Sequence, residues 1–489
     1  MKIHRPTVFW LFVIAFLVTV SSVLFYTFGY RFSFTRGIFV YTGSLTIDSN
    51  PDLIDIKING ETVPDSQLGI LNKASHIGGL APGAYQIEVS APGYTTWQKK
   101  VIIESGKSTE YWNVLLSKDP ANPITLPDTA SVTRAFPSPK KNVIALAAKK
   151  ENELTVTAYN TETETYAQVF SLPDADLLDV QSDGVEWSPE AEKLLIPVMH
   201  AGKREYYVVD AATTDSFKLN LFTEDNRRKY VRWHPKERAT LIYLDKQTLS
   251  RVDTRVTPLE PISMYSDIVA YDISSERAYT LSTHGIVMRY PLDSNNYQEE
   301  ESIQITTSPI DINTNQEYFV VIYDEKRISL LEPKSGTFWL FNKEVAPDMV
   351  SMGTGIRGTQ FSDDGKKLLY YSDTDISVAF LEKWEVQPIR EIGSVQQIVR
   401  LSNPITGVQW AKDYEHVIYA NGNHIMFAEL DNRDYRNIGT LITLPTAPLQ
   451  VFTRLDEDRV YVIKNIDGEN RLVGIDFPEA VTLFGFNTN

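Results

Sequence analysis

Cysteine is missing altogether from these 489 residues, which excludes disulfides, thiolate nucleophiles and cysteine-based metal sites. Histidine is scarce. The seven are His4, His76, His200, His234, His284, His416 and His424, and none pairs at a metal-ligand spacing such as H-x-x-x-H. Positive charge is the minority sign: 47 Lys and Arg face 63 Asp and Glu, for a net charge of −16 and a pI near 5.0. An acidic surface repels phosphate backbones, so nucleic acid is not an expected partner. No G-x-S-x-G elbow occurs, and the Asp-rich loops around Asp245, Asp267, Asp363 and Asp364 lack the D-x-D-x-D-G spacing of a Ca²⁺ loop. No catalytic, cofactor-binding or metal-ligating residue is therefore expected, nor any cofactor, and the binding residues stay unassigned. Long helical periodicity is lacking after residue 30. In its place 25 Tyr, 22 Phe and 8 Trp accompany short alternating runs that end at Gly, Pro, Asn or Asp, a mainly β pattern.

One long hydrophobic run stands apart. From Thr7 to Tyr30 no charge interrupts the chain, which is flanked by Arg5 and Arg31. About 20 apolar residues, each rising roughly 1.5 Å, cross a hydrocarbon core of roughly 30 Å. A helix is the spanning form, because lipid offers the backbone no other partners. Trp10, Tyr26 and Tyr30 lie toward the ends, where amphipathic rings favour the headgroup level. A cleaved signal peptide has a shorter apolar region, about 7–15 residues, with small residues at its cleavage site. Here Phe25, Tyr26, Phe28 and Tyr30 occupy that place. The expectation is a transmembrane helix over 7–30 with a cytoplasmic tail over 1–6. Lys2, Arg5 and the terminal amine favour the N-terminus inside over Arg31 and Arg36 by the positive-inside bias. Residues 31–489 then lie outside the cytoplasmic membrane, starting with a linker over 31–42.

Residues 43–118 read as a small β unit. Leu45 and Ile47 alternate with Thr46 and Asp48, and Asn50-Pro51 turns the chain. Ile54, Ile56 and Ile58 alternate up to Asn59-Gly60, a hairpin turn. Then come Leu80-Ala81-Pro82-Gly83-Ala84-Tyr85, the strand 84–89, Pro92-Gly93-Tyr94 with Trp97, Val101 and Ile103, and a last run Val114-Leu115-Leu116. This order resembles the PEGA domain, a β-sandwich module of bacterial surface proteins, with Pro82, Gly83, Gly93 and Tyr94 at the family's turn positions. The Pro-Glu-Gly-Ala tetrapeptide itself is replaced by Pro51-Asp52-Leu53-Ile54, and Pro64-Asp65-Ser66 stands near the missing Gly-x-Thr-Pro. The resemblance implies a β-sandwich and transfers no catalytic residue.

After a linker over 119–131, one pattern recurs across 132–489. An apolar strand runs into an aromatic or Ile, then a Ser-Pro or Asp-Gly type turn, then a strong apolar strand. The marking residues are Phe136, Trp187, Trp233, Tyr271, Ile312, Phe361, Trp410 and Phe452. Their mean separation is about 45 residues, the length of a four-stranded propeller blade. An eight-bladed β-propeller is expected, with seven blades as the alternative if the weak fourth or the last unit is not a blade. Trp187-Ser188-Pro189 and Phe361-Ser362-Asp363-Asp364-Gly365 resemble the TolB-type propeller repeat in degenerate form. Trp187, Trp233 and Trp410 share one place in their units, which points to packing between blades.

Smaller signals have structural explanations. Gly353-Thr354-Gly355-Ile356-Arg357-Gly358 matches G-x-G-x-x-G but opens no helix, so it reads as a loop between blades. Ser362-Asp363-Asp364-Gly365 resembles a sialidase Asp-box and reads as a turn. His234 takes the place of Ser in a Trp-His-Pro turn, His416 and His424 read as surface residues flanking a hairpin, and Arg227-Arg228-Lys229 and Glu299-Glu300-Glu301 read as solvated loops. The expected function is non-enzymatic binding or scaffolding at the cell surface, with a protein, peptide or glycan partner. The competing class is an envelope glycan hydrolase or lyase, which requires paired carboxylates about 5–10 Å apart in the propeller funnel.

Overall fold

The computed structural model describes residues 5–33, 37–52, 54–64, 73–119, 121–126, 129–178, 183–219, 228–292, 302–454 and 459–476. Arg227, Glu299-Glu300-Glu301, His4 and parts of the expected 1–6 tail lie outside them. The hydrophobic run forms one helix, Arg5–Thr27, and its described apolar side chains, such as Leu11, Phe16 and Leu24, stay exposed. It ends earlier than the expected residue 30. Gly29 adopts φ +85°, the left-handed geometry that closes helices, and Tyr30 already begins a strand. The stretch expected to be a linker, 31–42, instead carries a hairpin, Tyr30–Ser33 against Ile38–Tyr41.

The next unit has two sheets. One pairs Ser75–Leu80, Gly43–Asn50 and Ser108–Leu115, the last two in parallel. The other runs Glu61–Thr62, Asp55–Ile58, Gly83–Ser90 and Trp97–Ile103. Asn59 and Gly60 both have positive φ and close the expected two-residue turn, with Ile58 opposite Glu61. Leu45, Ile47, Ile87, Val89, Trp97, Val101, Ile103 and Val114 form one core shared by the two sheets.

Beyond it, mainly β structure continues as antiparallel sheets in chain order. Among the described residues there are eight, each with its first repeat strand at one edge: Val132–Pro137, the pair Ala175–Leu177 and Glu186–Trp187, Arg228–Trp233, Ile268–Ser274, Phe319–Asp324, Ile356–Phe361, Ile405–Trp410 and Gln450–Arg454. The weak fourth and the last units are both sheets. In the fifth, Ile310 and Ile312 do not form the first strand. That place belongs to Phe319–Asp324, which pairs with Arg327–Glu332.

Every neighbouring pair of sheets shares a buried core. Val156 and Leu194 join the first and second, Tyr206 and Trp233 the second and third. Tyr230, Tyr271 and Ile328 join the third to fifth, Phe338 and Leu368 the fifth and sixth, Val378 and Trp410 the sixth and seventh, and Phe427 and Val462 the seventh and eighth. Leu146 and Tyr159 then meet Phe452 and Tyr461, joining the eighth to the first. The stretch expected to be a linker, 119–131, contributes to this join: Pro123–Thr125 pairs with Glu469–Asp476 as the fourth strand of the last sheet. The closing sheet thus mixes strands from both ends of the repeat, so neither end can detach without breaking hydrogen bonds.

Candidate functional site

At five of the seams the first strand of the repeat carries a polar side chain whose oxygen accepts a main-chain N–H of the next sheet. Glu186, Gln360 and Gln409 stand directly before Trp187, Phe361 and Trp410. Trp233 N donates to Glu186 Oε2 at 3.2 Å, Ile322 N to Asp272 Oδ2 at 3.0 Å, Trp410 N to Gln360 Oε1 at 3.3 Å and Thr453 N to Gln409 Oε1 at 2.7 Å. At the closing seam Ala135 N donates to Gln450 Oε1 at 2.9 Å, and Gln450 Nε2 returns a bond to Ala135 O at 2.9 Å. The three repeated tryptophans add a second tie. The indole N–H of Trp187 donates to Phe136 O (2.9 Å), that of Trp233 to Glu186 O (3.2 Å) and that of Trp410 to Gln360 O (3.0 Å).

These ties decide what the central carboxylates can do. Glu186 and Asp272 converge on one guanidinium: Arg232 Nε lies 2.9 Å from Glu186 Oε1 and Arg232 Nη1 3.4 Å from Asp272 Oδ1. Burial pushes the Glu186 carboxyl above its ordinary range, while Arg232 pulls it back. Each carboxylate has one oxygen on Arg232 and the other on a backbone N–H of the next sheet, so both hold the seams together. Asp183 is similar. Burial pushes its carboxyl up to about 6, against the Val231 N–H, Arg204 and the Tyr206 hydroxyl. Its oxygens accept from Tyr206 Oη at 2.9 Å, Val231 N at 3.2 Å and Arg204 Nη1 at 2.8 Å. The perturbed acid is a clamp between the second and third sheets. Open space lies at another seam, where a cavity of about 280 Å³ is lined by Arg134, Phe136, Thr406, Gly407, Leu449 and Gln450.

A second built feature joins the first unit to the seventh sheet. Lys99 is fully buried, its Nζ 2.6 Å from Glu429 Oε1 and 3.5 Å from Asp431 Oδ1. Trp97 Nε1 donates to Glu429 Oε2 at 3.1 Å, and Lys100 N to Asp434 Oδ2 at 2.8 Å. The Arg433 guanidinium covers the Tyr111 ring at 3.8 Å and donates to Glu110 O at 2.7 Å. Gln387 bonds both Glu110 N and Ser108 O. Leu115 continues into the core of the seventh and eighth sheets. Nothing in the spacing of Lys99 from Glu429 announces this contact.

The residues singled out in the sequence fall in separate places. His234 is buried, and its Nδ1 accepts from Lys236 N and Glu237 N, just as Ser188 Oγ accepts from Glu192 N and Lys193 N. Gly353 ends a strand and Gly358 lies within the next, with no helix after them. Asp364 Oδ1 accepts from Ser362 Oγ and Lys366 N within its own turn. Among the described residues no three His, Asp or Glu side chains gather as a metal ligand set.

His424 is exposed, but His416 is not the surface residue expected: it is buried, with Nδ1 2.6 Å from Asp413 Oδ2. Burial opposes its charge, yet Asp413, Glu429 and Glu415 outweigh burial and hold the imidazole above its ordinary pKa. A raised folded-state value stabilises the protein at low pH and loses that contribution as pH rises through it. The melting-temperature gap between the parent chain and His416→Gln is therefore expected to be widest below about pH 6.5 and to narrow on going up to about pH 9, as read by calorimetry across that range.

Comparison with known proteins follows the same division. No curated protein matches the chain. Solved structures similar to it include a WD40 domain and a β-propeller domain. Saccharomyces cerevisiae Sqt1 has 11% identity and a TM-score of 0.45, covering 73% of this chain and 100% of that one. The WD40 domain of SCAP from fission yeast has 8% identity and a TM-score of 0.44, covering 74% and 99%. Oligogalacturonate lyase in complex with manganese has 14% identity and a TM-score of 0.37, covering 71% and 99%. The segment that matches a described family is the one between the helix and the repeated sheets: the PEGA domain model matches residues 42–116.

Proposed function

We propose that this chain is a single-pass membrane protein of bacterial type, N-terminus inside, which holds a PEGA β-sandwich and a closed eight-bladed, TolB-like propeller outside the cytoplasmic membrane. Its function on this reading is non-enzymatic: the propeller recognises a protein, peptide or glycan at the cell envelope and acts as a scaffold. One observation carries the non-enzymatic part. The carboxylates Glu186, Asp272 and Asp183, which a glycan hydrolase or lyase would aim into its funnel, are committed to Arg232, Arg204 and backbone N–H groups at the seams. The exposed apolar helix supports the anchor, and the buried ion pairs of Lys99 support a fixed mounting of the propeller on the sandwich.

The cavity at the closing seam is the proposed recognition point, because it combines a guanidinium, an aromatic ring and amide groups in a concave site. A photo-crosslinking residue at Leu449 is expected to capture an envelope partner, with recovery falling several-fold in Arg134→Ala at unchanged melting temperature. Turnover of a polysaccharide by the purified chain that disappears in Glu186→Gln would overturn the reading in favour of an enzyme.

A further inference from the structure

The hairpin that follows the helix has an aromatic face with no protein core of its own. Its register sets Tyr30 opposite Tyr41 and Phe32 opposite Phe39. In an antiparallel pair these four share one face, because side chains alternate with period two. The rings interact in sequence: Tyr30 and Tyr41 have centroids 5.1 Å apart, Phe32 and Phe39 5.4 Å. Phe25 of the helix extends the row, stacked on Phe39 at 5.5 Å and edge-on to Tyr30 at 5.5 Å. Yet Phe39 is 51% exposed, Phe32 45% and Tyr41 44%, and Ile38 on the opposite face is 57% exposed. A lone two-stranded hairpin is marginal in water, and this one presents apolar surface on both sides.

Its position along the chain says what covers it. Two residues, Phe28 and Gly29, separate Thr27, the end of the helix, from Tyr30, and three extended residue steps reach at most about 10 Å. If the helix spans a bilayer, the hairpin therefore starts at the headgroup layer, which is about 5–8 Å thick on each side of the hydrocarbon. Tyrosine rings favour that level, with their hydroxyls wet and their faces against acyl chains. Arg31 supplies the matching charge. Its guanidinium lies 3.5 Å from the Tyr26 ring centroid and donates to Tyr26 O at 2.9 Å, which holds a cation at lipid phosphate height. The hairpin is also tied to the next unit. Thr42 N and Oγ1 both bond Gly29 O, Gly106 N bonds Thr42 O, and Ser105 Oγ bonds Tyr41 O. A side chain at Gly106 would meet the Tyr41 ring at 2.5 Å, so that ring is seated directly on the turn.

We propose that the paired strands Tyr30–Ser33 and Ile38–Tyr41 are a lipid-binding wedge: they seat in the interfacial layer of a phospholipid bilayer and fix the height of the following domains above the membrane. The inference rests on the helix being the membrane anchor. Because the chain has no cysteine, single spin labels report unambiguously. The full chain is reconstituted into vesicles of phosphatidylcholine and phosphatidylglycerol, with Val18→Cys in the helix, Phe39→Cys and Ile38→Cys on the two faces of the hairpin, and Phe217→Cys on the second sheet. Depth is read from the ratio of collision with oxygen to collision with a water-soluble nickel chelate.

The expected order is highest at Val18, intermediate at Phe39 and Ile38 and several-fold above Phe217, with Phe217 fully aqueous. Labels at both hairpin positions that match Phe217 while Val18 reads hydrocarbon would overturn the wedge and leave the anchor standing. An aqueous Val18 would overturn the anchor, and the wedge with it. Ile38 and Phe39 lie on opposite faces, so a local distortion from one substitution is exposed by the other.

Discussion

Replacing Lys99 by methionine should split the unfolding of the parent chain, expected as one cooperative transition, into two. The ammonium is fully buried between Glu429 and Asp431. Its removal leaves the Glu429 carboxylate, itself 5% exposed, without its cation in a low-dielectric junction. Breaking a buried pair from one side costs about 3–5 kcal/mol. That cost falls on the junction, because Lys99 belongs to the two-sheet unit and its partners to the seventh sheet. Calorimetry of the full chain in nanodiscs reads the outcome as a lowered first transition separate from the second. Adding Glu429→Gln should restore part of the loss, since a neutral amide needs no counter-charge, although Trp97 Nε1 and Asn437 N then bond to a weaker acceptor. An unchanged single transition in Lys99→Met would mean that the Lys99 ion pairs do not couple the two units.

Trp410→Ala should be the most damaging single change within the repeated sheets. The indole has no exposed surface and sits in the core shared by the sixth and seventh sheets. Phe or Trp to Ala in a core costs about 3–5 kcal/mol, and the Gln360 carbonyl also loses its donor. Trp410→Phe separates these effects. It keeps most of the packing and drops the hydrogen bond, for a cost of about 1 kcal/mol. Both values are read from denaturant midpoints at constant slope. A similar loss in the two variants would assign the stabilisation to the hydrogen bond instead of the ring.

The local pattern was readable wherever the determinants are neighbours in the chain. Asn59-Gly60 gave its turn because positive φ suits those two residues, and the repeated tryptophans gave the seams because burial fixes their phase. What escaped depends on partners far away in sequence. Pro123–Thr125 is three residues long, too short to carry a period, and pairs with the far end of the repeat. Ile310 and Ile312 alternate as a strand would but are partly buried residues against the neighbouring core, and Phe319–Asp324 takes the strand position. His416 stands among Asp413, Glu415 and Lys412, a polar run that reads as surface, yet the fold buries it. The polar residue before each seam aromatic was visible as Glu186, Gln360 and Gln409, but its role needs the next sheet's backbone.

The proposed function requires that the apolar helix hold the sheets on the outer side of the membrane, and the missing cysteines make that directly measurable. Phe217→Cys, at an exposed edge of the second sheet, is treated with a membrane-impermeant maleimide in intact cells and, separately, after lysis. The account predicts equal labelling before and after lysis. Labelling that appears after lysis alone would put the sheets in the cytoplasm and contradict it.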